Sequence, residues 1–290
     1  MKNYVIVTDS TSDLPEEIVE KLGIKVISLT FELEGISYKD HPDSNQMSTH
    51  EFYESLRRGE KSVTSLINTE TFIDFFQPIL RAGNDILYIA FSSALSGTYN
   101  SSLLAIDELM EEYKDSKIIT IDSKAASVGE GLLVYSAAMK KEAGLSIDEL
   151  QEWIRQNLLK VCHWFTVDDL NHLKRGGRVS AFSATIGTAL NVKPILHVDN
   201  EGRLIPMSKV RGRKKSIISL LDHMLETCVD PEEQVIFIGH GDAKEDAEFL
   251  AQLIRDKFIV KDIVISNIGP VIGTHSGPGT IALFFFGTER

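Results

Sequence analysis

One stretch, Asp85 to Tyr113, restricts the fold more than any other. Its run Ile86-Leu87-Tyr88-Ile89-Ala90-Phe91 has the length and continuity of a buried strand. Ser92-Ser93-Ala94-Leu95-Ser96-Gly97 turns the chain. Tyr99, Leu103, Ile106, Met110 and Tyr113 then recur at the spacing of one helical face. The turn leaves the first backbone N–H groups of that helix, with their partial positive charge, beside a row of hydroxyls. Such a place can hold an anionic group. It contains no Lys or Arg, so a single carboxylate suits it better than a triphosphate. The competing role for Ser96 or a neighbour is to cap the helix.

The same pattern recurs nearby. Tyr4 to Val7 is a short apolar run closed by Thr8-Asp9-Ser10-Thr11-Ser12-Asp13, and Pro15-Glu16-Glu17 suits a first helical turn. Gly23 ends that helix and Ile24 to Leu29 follows as a strand. Strand, helix, strand points to a parallel sheet. Ile118 to Ile121 is another buried strand, ending in Asp122-Ser123. Open α/β sheets bind ligands beyond the carboxyl ends of their strands, where these Asp and Ser residues fall. Between the strands, Glu32 to Gln46 reads as polar and irregular. Ser48 and Glu51 form a capping box for a helix through Arg58. Lys61 to Asn68 reads as a second hydroxyl-bearing loop, before a helix marked by Phe72, Phe75, Phe76 and Ile79.

Beyond a helix over Val128 to Ala143 and another opened by the Ser146/Glu149 capping box, the pattern changes. Trp164 to Val167 is a strand, Asp168-Asp169-Leu170 opens a short helix, and Lys174-Arg175-Gly176-Gly177-Arg178 is a basic turn broken by glycine. Lys193 to Val198 and Arg203 to Ile205, joined by Asp199-Asn200-Glu201-Gly202, read as a hairpin. Lys214 to Glu226, Gln234 to Ile238, Ala243 to Lys257 and Lys261 to Ser266 alternate helix and strand, and Thr280 to Phe286 is a last apolar strand. The expected fold is therefore α/β in two domains: a parallel-sheet N-terminal domain over 1–160, and a mixed-sheet domain with a hairpin over 161–290.

The overall make-up narrows the function. A chain of 290 residues with net charge -12 lacks the basic footprint of a nucleic-acid binder and is poorly suited to an anionic membrane. No run approaches the roughly 20 apolar residues of a membrane span, and the first apolar run is too short for a signal peptide. Cys162 and Cys228 offer neither zinc spacing nor a disulfide framework, so a reducing cytoplasm is expected. No metal or cofactor motif is present: no G-x-G-x-x-G, Walker A, G-x-S-x-G or H-E-x-x-H.

The tail Ile268 to Thr280 is rich in Gly and Pro and reads as a loop carrying His275, whose imidazole could donate a hydrogen bond to a carboxylate. Ser93 or Ser96, His275 and Asp9 supply the residue types of a Ser/His hydrolase for small acyl esters, the alternative reading. A weaker one is a phosphotransfer module. The other histidines show no ligand spacing and read as surface or packing residues. Lys209, Arg211, Arg213, Lys214 and Lys215 could dock an acidic partner, or simply form a solvated face.

Taken together, Thr8 to Leu14, Thr64-Ser65, Ser92 to Tyr99, Gly176-Gly177-Arg178, Gly269-Pro270 and Thr274 to Thr280 resemble the DegV family of bacterial fatty-acid-binding proteins. The resemblance runs from the first strand to the last. It implies a non-catalytic subunit that buries a long-chain fatty acid. That subunit would present the carboxylate to a separate ATP-dependent fatty acid kinase, which makes acyl phosphate for phospholipid synthesis. By this resemblance Thr64 and Ser93 bind the carboxylate, with Ser65, Ala94, Ser96 and His275 close by, and Arg178 faces the partner. The family's usual Thr-Ser-Gln-Pro is replaced here by Thr64-Ser65-Leu66-Ile67. Phe72, Phe75, Phe76 and the aliphatic residues of the second half are candidate walls for the acyl chain.

Overall fold

The computed structural model describes residues 3–178 and 191–290. Strand β1 (Tyr4–Asp9) runs into a 3-10 turn over Ser10–Ser12, then α1 (Glu16–Lys21) and β2 (Lys25–Ile27). Next come β3 (Thr30–Leu33), β4 (Ile36–Lys39), α2 (Thr49–Arg57), β5 (Ser62–Ser65), α3 (Thr69–Arg81), β6 (Asp85–Ala90), α4 (Thr98–Glu112) and β7 (Ile118–Asp122). The order β2-β1-β6-β7 forms a parallel sheet, as strand–helix–strand units demand. Both expected capping boxes are made: Ser48 with Glu51 opens α2, and Ser146 with Glu149 opens α6 (Ile147–Asn157) after α5 (Val128–Glu142).

Two segments depart from the sequence reading. The stretch expected to be irregular holds the β3–β4 hairpin, and Ser62–Ser65, expected as loop, is strand β5, an edge of a small antiparallel sheet in the order β4-β3-β5. The hairpin turns at Glu34 and Gly35, both at positive φ, the backbone of a two-residue turn. Its signal is weak because the sheet buries one face only. Phe31 and Leu33 are buried while Val63 on β5 stays 58% exposed, so β5 carries almost no apolar alternation.

The second half continues with β8 (Val161–Thr166), α7 (Asn171–Gly176), β9 (Val192–Val198), β10 (Leu204–Arg211), α8 (Arg213–Thr227), β11 (Val235–His240), α9 (Lys244–Lys257), β12 (Asp262–Asn267), α10 (Pro270–Ser276) and β13 (Ile281–Phe286). The sheet order is β10-β9-β8-β13-β11-β12. It is mixed: β11 and β12 run parallel, the other pairs antiparallel. The tail expected as loop instead forms α10, with Pro270 in its first turn and Gly277 at φ +80 ending it.

Helix α5 lies between the sheets and is buried from Val128 through Val134. One apolar core therefore joins Leu87 and Ile89 of β6, Leu132 and Val134 of α5, and Phe165, Phe237 and Phe284 of the mixed sheet. Close approach explains a glycine inside this helix: a Cβ on Gly129 would lie 2.3 Å from His163 Nε2.

Candidate functional site

Between the parallel sheet and the mixed sheet lies a cavity of about 440 Å³, in the size range of small-molecule pockets. Its walls are mostly apolar: Phe91 and Leu95 from the first half, Phe165, Leu204, Ala282 and Phe284 from the second. One end is polar. Thr64, Ser65, Ser93, Ala94, Ser96, Arg178 and His275 all line the same cavity, although they come from four separate segments. Phe72, Phe75 and Phe76 do not line it; they belong to a core on the other face of the parallel sheet, where Phe72 and Phe76 meet Tyr88 in tilted and edge-on contacts, which corrects the expectation that they wall the ligand. Aromatic types alone do not distinguish a tunnel from an ordinary core.

Each polar residue is held by a local cause. The β5 edge faces α10, and two side-chain contacts bridge them: Ser62 Oγ to Thr274 Oγ1 at 2.7 Å, and Thr64 Oγ1 to His275 Nε2 at 3.0 Å. Burial, together with the nearby Arg178 guanidinium, pushes the His275 pKa down to about 4, so the ring is neutral at neutral pH. Its Nδ1 is buried without a partner among the described residues. A buried orphan donor is costlier than an orphan lone pair, which assigns the ring proton to Nε2. Nε2–H then donates to Thr64 Oγ1, and the Thr64 hydroxyl hydrogen is left for the cavity.

Ser93 lies at the mouth, exposed, in the turn after β6. Parallel pairing sets Ala90 opposite Asp122, so the ends of β6 and β7 bring Asp122 to the turn. Ser93 Oγ donates to Asp122 Oδ2 at 2.6 Å, and the Ser93 N–H donates to Oδ1 at 3.1 Å. Ser96 Oγ meets Thr98 Oγ1 at 2.9 Å and accepts from the Thr98 N–H, so it serves the helix start as well as lining the cavity. Arg178 is exposed; its Nε donates to the Leu95 carbonyl at 3.3 Å and Nη1 to the Gly176 carbonyl.

The Gly176-Gly177-Arg178 motif acquires a reason here. Gly177 ends α7 in the left-handed conformation, at φ +66. A Cβ on Gly176 would stand 2.2 Å from His275 Nδ1. Gly176→Ala should therefore tilt the imidazole off Thr64 and weaken binding of a carboxylic ligand about tenfold, one hydrogen bond's worth. The check is a dissociation constant beside a thermal melt, since a variant that melts as the wild type but binds unchanged would remove His275 from the site.

The acidic motif at the end of β1 lies elsewhere. Asp9 is buried and accepts from Tyr88 OH at 2.8 Å, the Phe91 N–H at 3.0 Å and Thr11. Glu130 of α5 accepts from Thr8 and Thr11. Asp13 accepts from Ser127 and the Gly269 N–H, and Asp40 from the Val271 N–H. Burial raises the pKa of all four acids, that of Asp40 to about 7. These residues knit β1, α5 and the start of α10 together. The Ser–His–Asp chain of a hydrolase is not assembled: Asp9 pairs with Thr11 and Tyr88, His275 with Thr64, and Ser93 with Asp122.

Among the described residues no helix is long and apolar enough to cross a membrane. A DegV domain-containing protein of Clostridium perfringens is 49% identical over 290 residues, spanning 100% of this chain and 99% of its own. A DegV family protein from Thermus thermophilus, whose solved structure concerns fatty acid binding, superposes with a TM-score of 0.89 at 29% identity over 99% of this chain and 100% of its own. A Thermotoga maritima protein whose structure reveals a fatty acid binding function superposes with a TM-score of 0.84 at 31% identity, over 98% and 99%. The profile of the family described as "Uncharacterised protein, DegV family" matches residues 3–288. This chain belongs to the DegV family.

Proposed function

We propose that the protein binds a long-chain fatty acid, its carboxyl group at Thr64 and Ser93 and its acyl chain in the apolar cavity. The observation that carries this reading is a hollow with mostly apolar walls, lined also by the hydroxyls of Thr64, Ser93 and Ser96 and by the neutral imidazole of His275. Burying methylenes contributes about 0.8 kcal/mol each, so the chain supplies the affinity and the polar end the orientation. The solved relatives described as fatty-acid-binding support the ligand class. Ser65, Ala94, Ser96 and His275 complete the polar end.

The finer role is presentation of the carboxyl to a separate, ATP-dependent fatty acid kinase, with Arg178 on the partner-facing side. Ser93, Ala94 and Arg178 are exposed at the cavity mouth, which suits a ligand whose reactive end must meet another protein. The protein itself would be a non-catalytic, cytoplasmic subunit, divided near residue 160.

The test is direct. Protein purified from a bacterial host should release fatty acid on extraction, detected by mass spectrometry. Thr64→Val, which removes the hydroxyl at similar volume, should weaken palmitate binding by about 1–2 kcal/mol in the delipidated protein. A delipidated wild type that takes up no long-chain acid would end the proposal.

A further inference from the structure

Ser93 has one hydroxyl hydrogen, and the structure commits it. Asp122 Oδ2 takes it at 2.6 Å, while Oδ1 accepts the N–H groups of Ser93 and Lys124 at 3.1 and 3.0 Å. The carboxylate thus sits at the end of β7, tied to the turn that lines the cavity mouth. An ionised ligand carboxylate only accepts hydrogen bonds, as does ionised Asp122. Two acceptors cannot share one hydrogen, and two adjacent carboxylates repel.

Building on the fatty-acid reading above, we propose that Asp122 is a positioning residue that couples ligand binding to the uptake of one proton. The bound acid and Asp122 hold that proton between them through Ser93. In the arrangement that keeps the observed Ser93–Asp122 bond, the ligand is the neutral acid. Its O–H donates to Ser93 Oγ, Ser93 O–H donates to Asp122, and the ligand carbonyl accepts from Thr64 O–H. Every hydrogen then has one acceptor. Among the described residues, the charged and titratable groups around this row are Tyr99 on α4, Lys124 after β7 and Arg290 at the chain end on the Asp122 side. On the ligand side they are Arg178 and neutral His275.

The experiment is calorimetric titration of the delipidated protein with palmitate in buffers of different ionisation enthalpy. The wild type should take up about one proton per palmitate at alkaline pH, and its affinity should fall roughly tenfold per pH unit there. Asp122→Asn should take up none and lose that slope. Palmitamide, which offers an N–H to Ser93 and a carbonyl to Thr64, should bind the wild type with no proton uptake. If Asp122→Asn fails to fold, Ser93→Ala serves instead, since removing the shared hydroxyl also uncouples the two groups. Palmitate binding by the wild type without proton uptake, or with the same uptake in the variant, overturns the proposal. Absence of palmitate binding altogether instead overturns the fatty-acid reading on which it rests.

Discussion

Ala282→Phe should lower the affinity for stearate by about 3 kcal/mol, more than a hundredfold, and leave decanoate nearly unaffected. Ala282 is buried on β13 opposite Phe165, and both line the cavity. A phenyl ring at this position takes space from about four methylenes, each contributing about 0.8 kcal/mol on burial. The polar end lies on other elements, so the orientation of a short acid is untouched. Filling an apolar hollow does not expose a polar group, and thermal stability should hold or rise. Affinities for a ladder of saturated acids, measured on both proteins, decide it. A loss that is equal for short and long acids would mean that the acyl chain does not run past β13.

Much of the fold was legible because local signals agreed with tertiary ones. Ser48 with Glu51 and Ser146 with Glu149 announce helix starts that form. The uninterrupted run Ile86 to Ala90 becomes a strand buried along its whole length. The small β4-β3-β5 sheet was hidden because half its side chains face water, and α10 because its Gly and Pro are also loop residues. The residues singled out from the sequence at Thr64, Ser93 and His275 do meet around one cavity, drawn from β5, the turn after β6 and α10. Asp122 could not be paired with Ser93 beforehand, since that contact depends on the β6–β7 register. Nor could Gly176 be linked to His275, whose contact follows from packing of α7 on α10.

Asp40→Asn should stabilise the protein at alkaline pH by up to about 4 kcal/mol and leave it nearly unchanged at about pH 4. The Asp40 carboxyl is buried, accepts the Val271 N–H at 3.4 Å, and shares the space around Gly269 with Asp13. Burial chiefly, with a contribution from Asp9, lifts its pKa from 3.8 to about 7. The ionised form is therefore the one that folding penalises. Below the unfolded value both states are protonated and the group contributes nothing. As pH rises toward about 7 the unfolded chain ionises first, so stability falls. Above that value the penalty is complete. Asparagine never ionises, keeps a carbonyl to accept from Val271, and turns an amide toward Asp13. The burial-raised pKa of Asp13, which the Asp40 charge raises further, should relax as well. Urea unfolding of both proteins at about pH 4 and about pH 8 tests the sign. An advantage at neither pH would show that the carboxylate holding the amino end of α10 is ionised without penalty, and one at acid pH would show that the gain does not come from removing a charge.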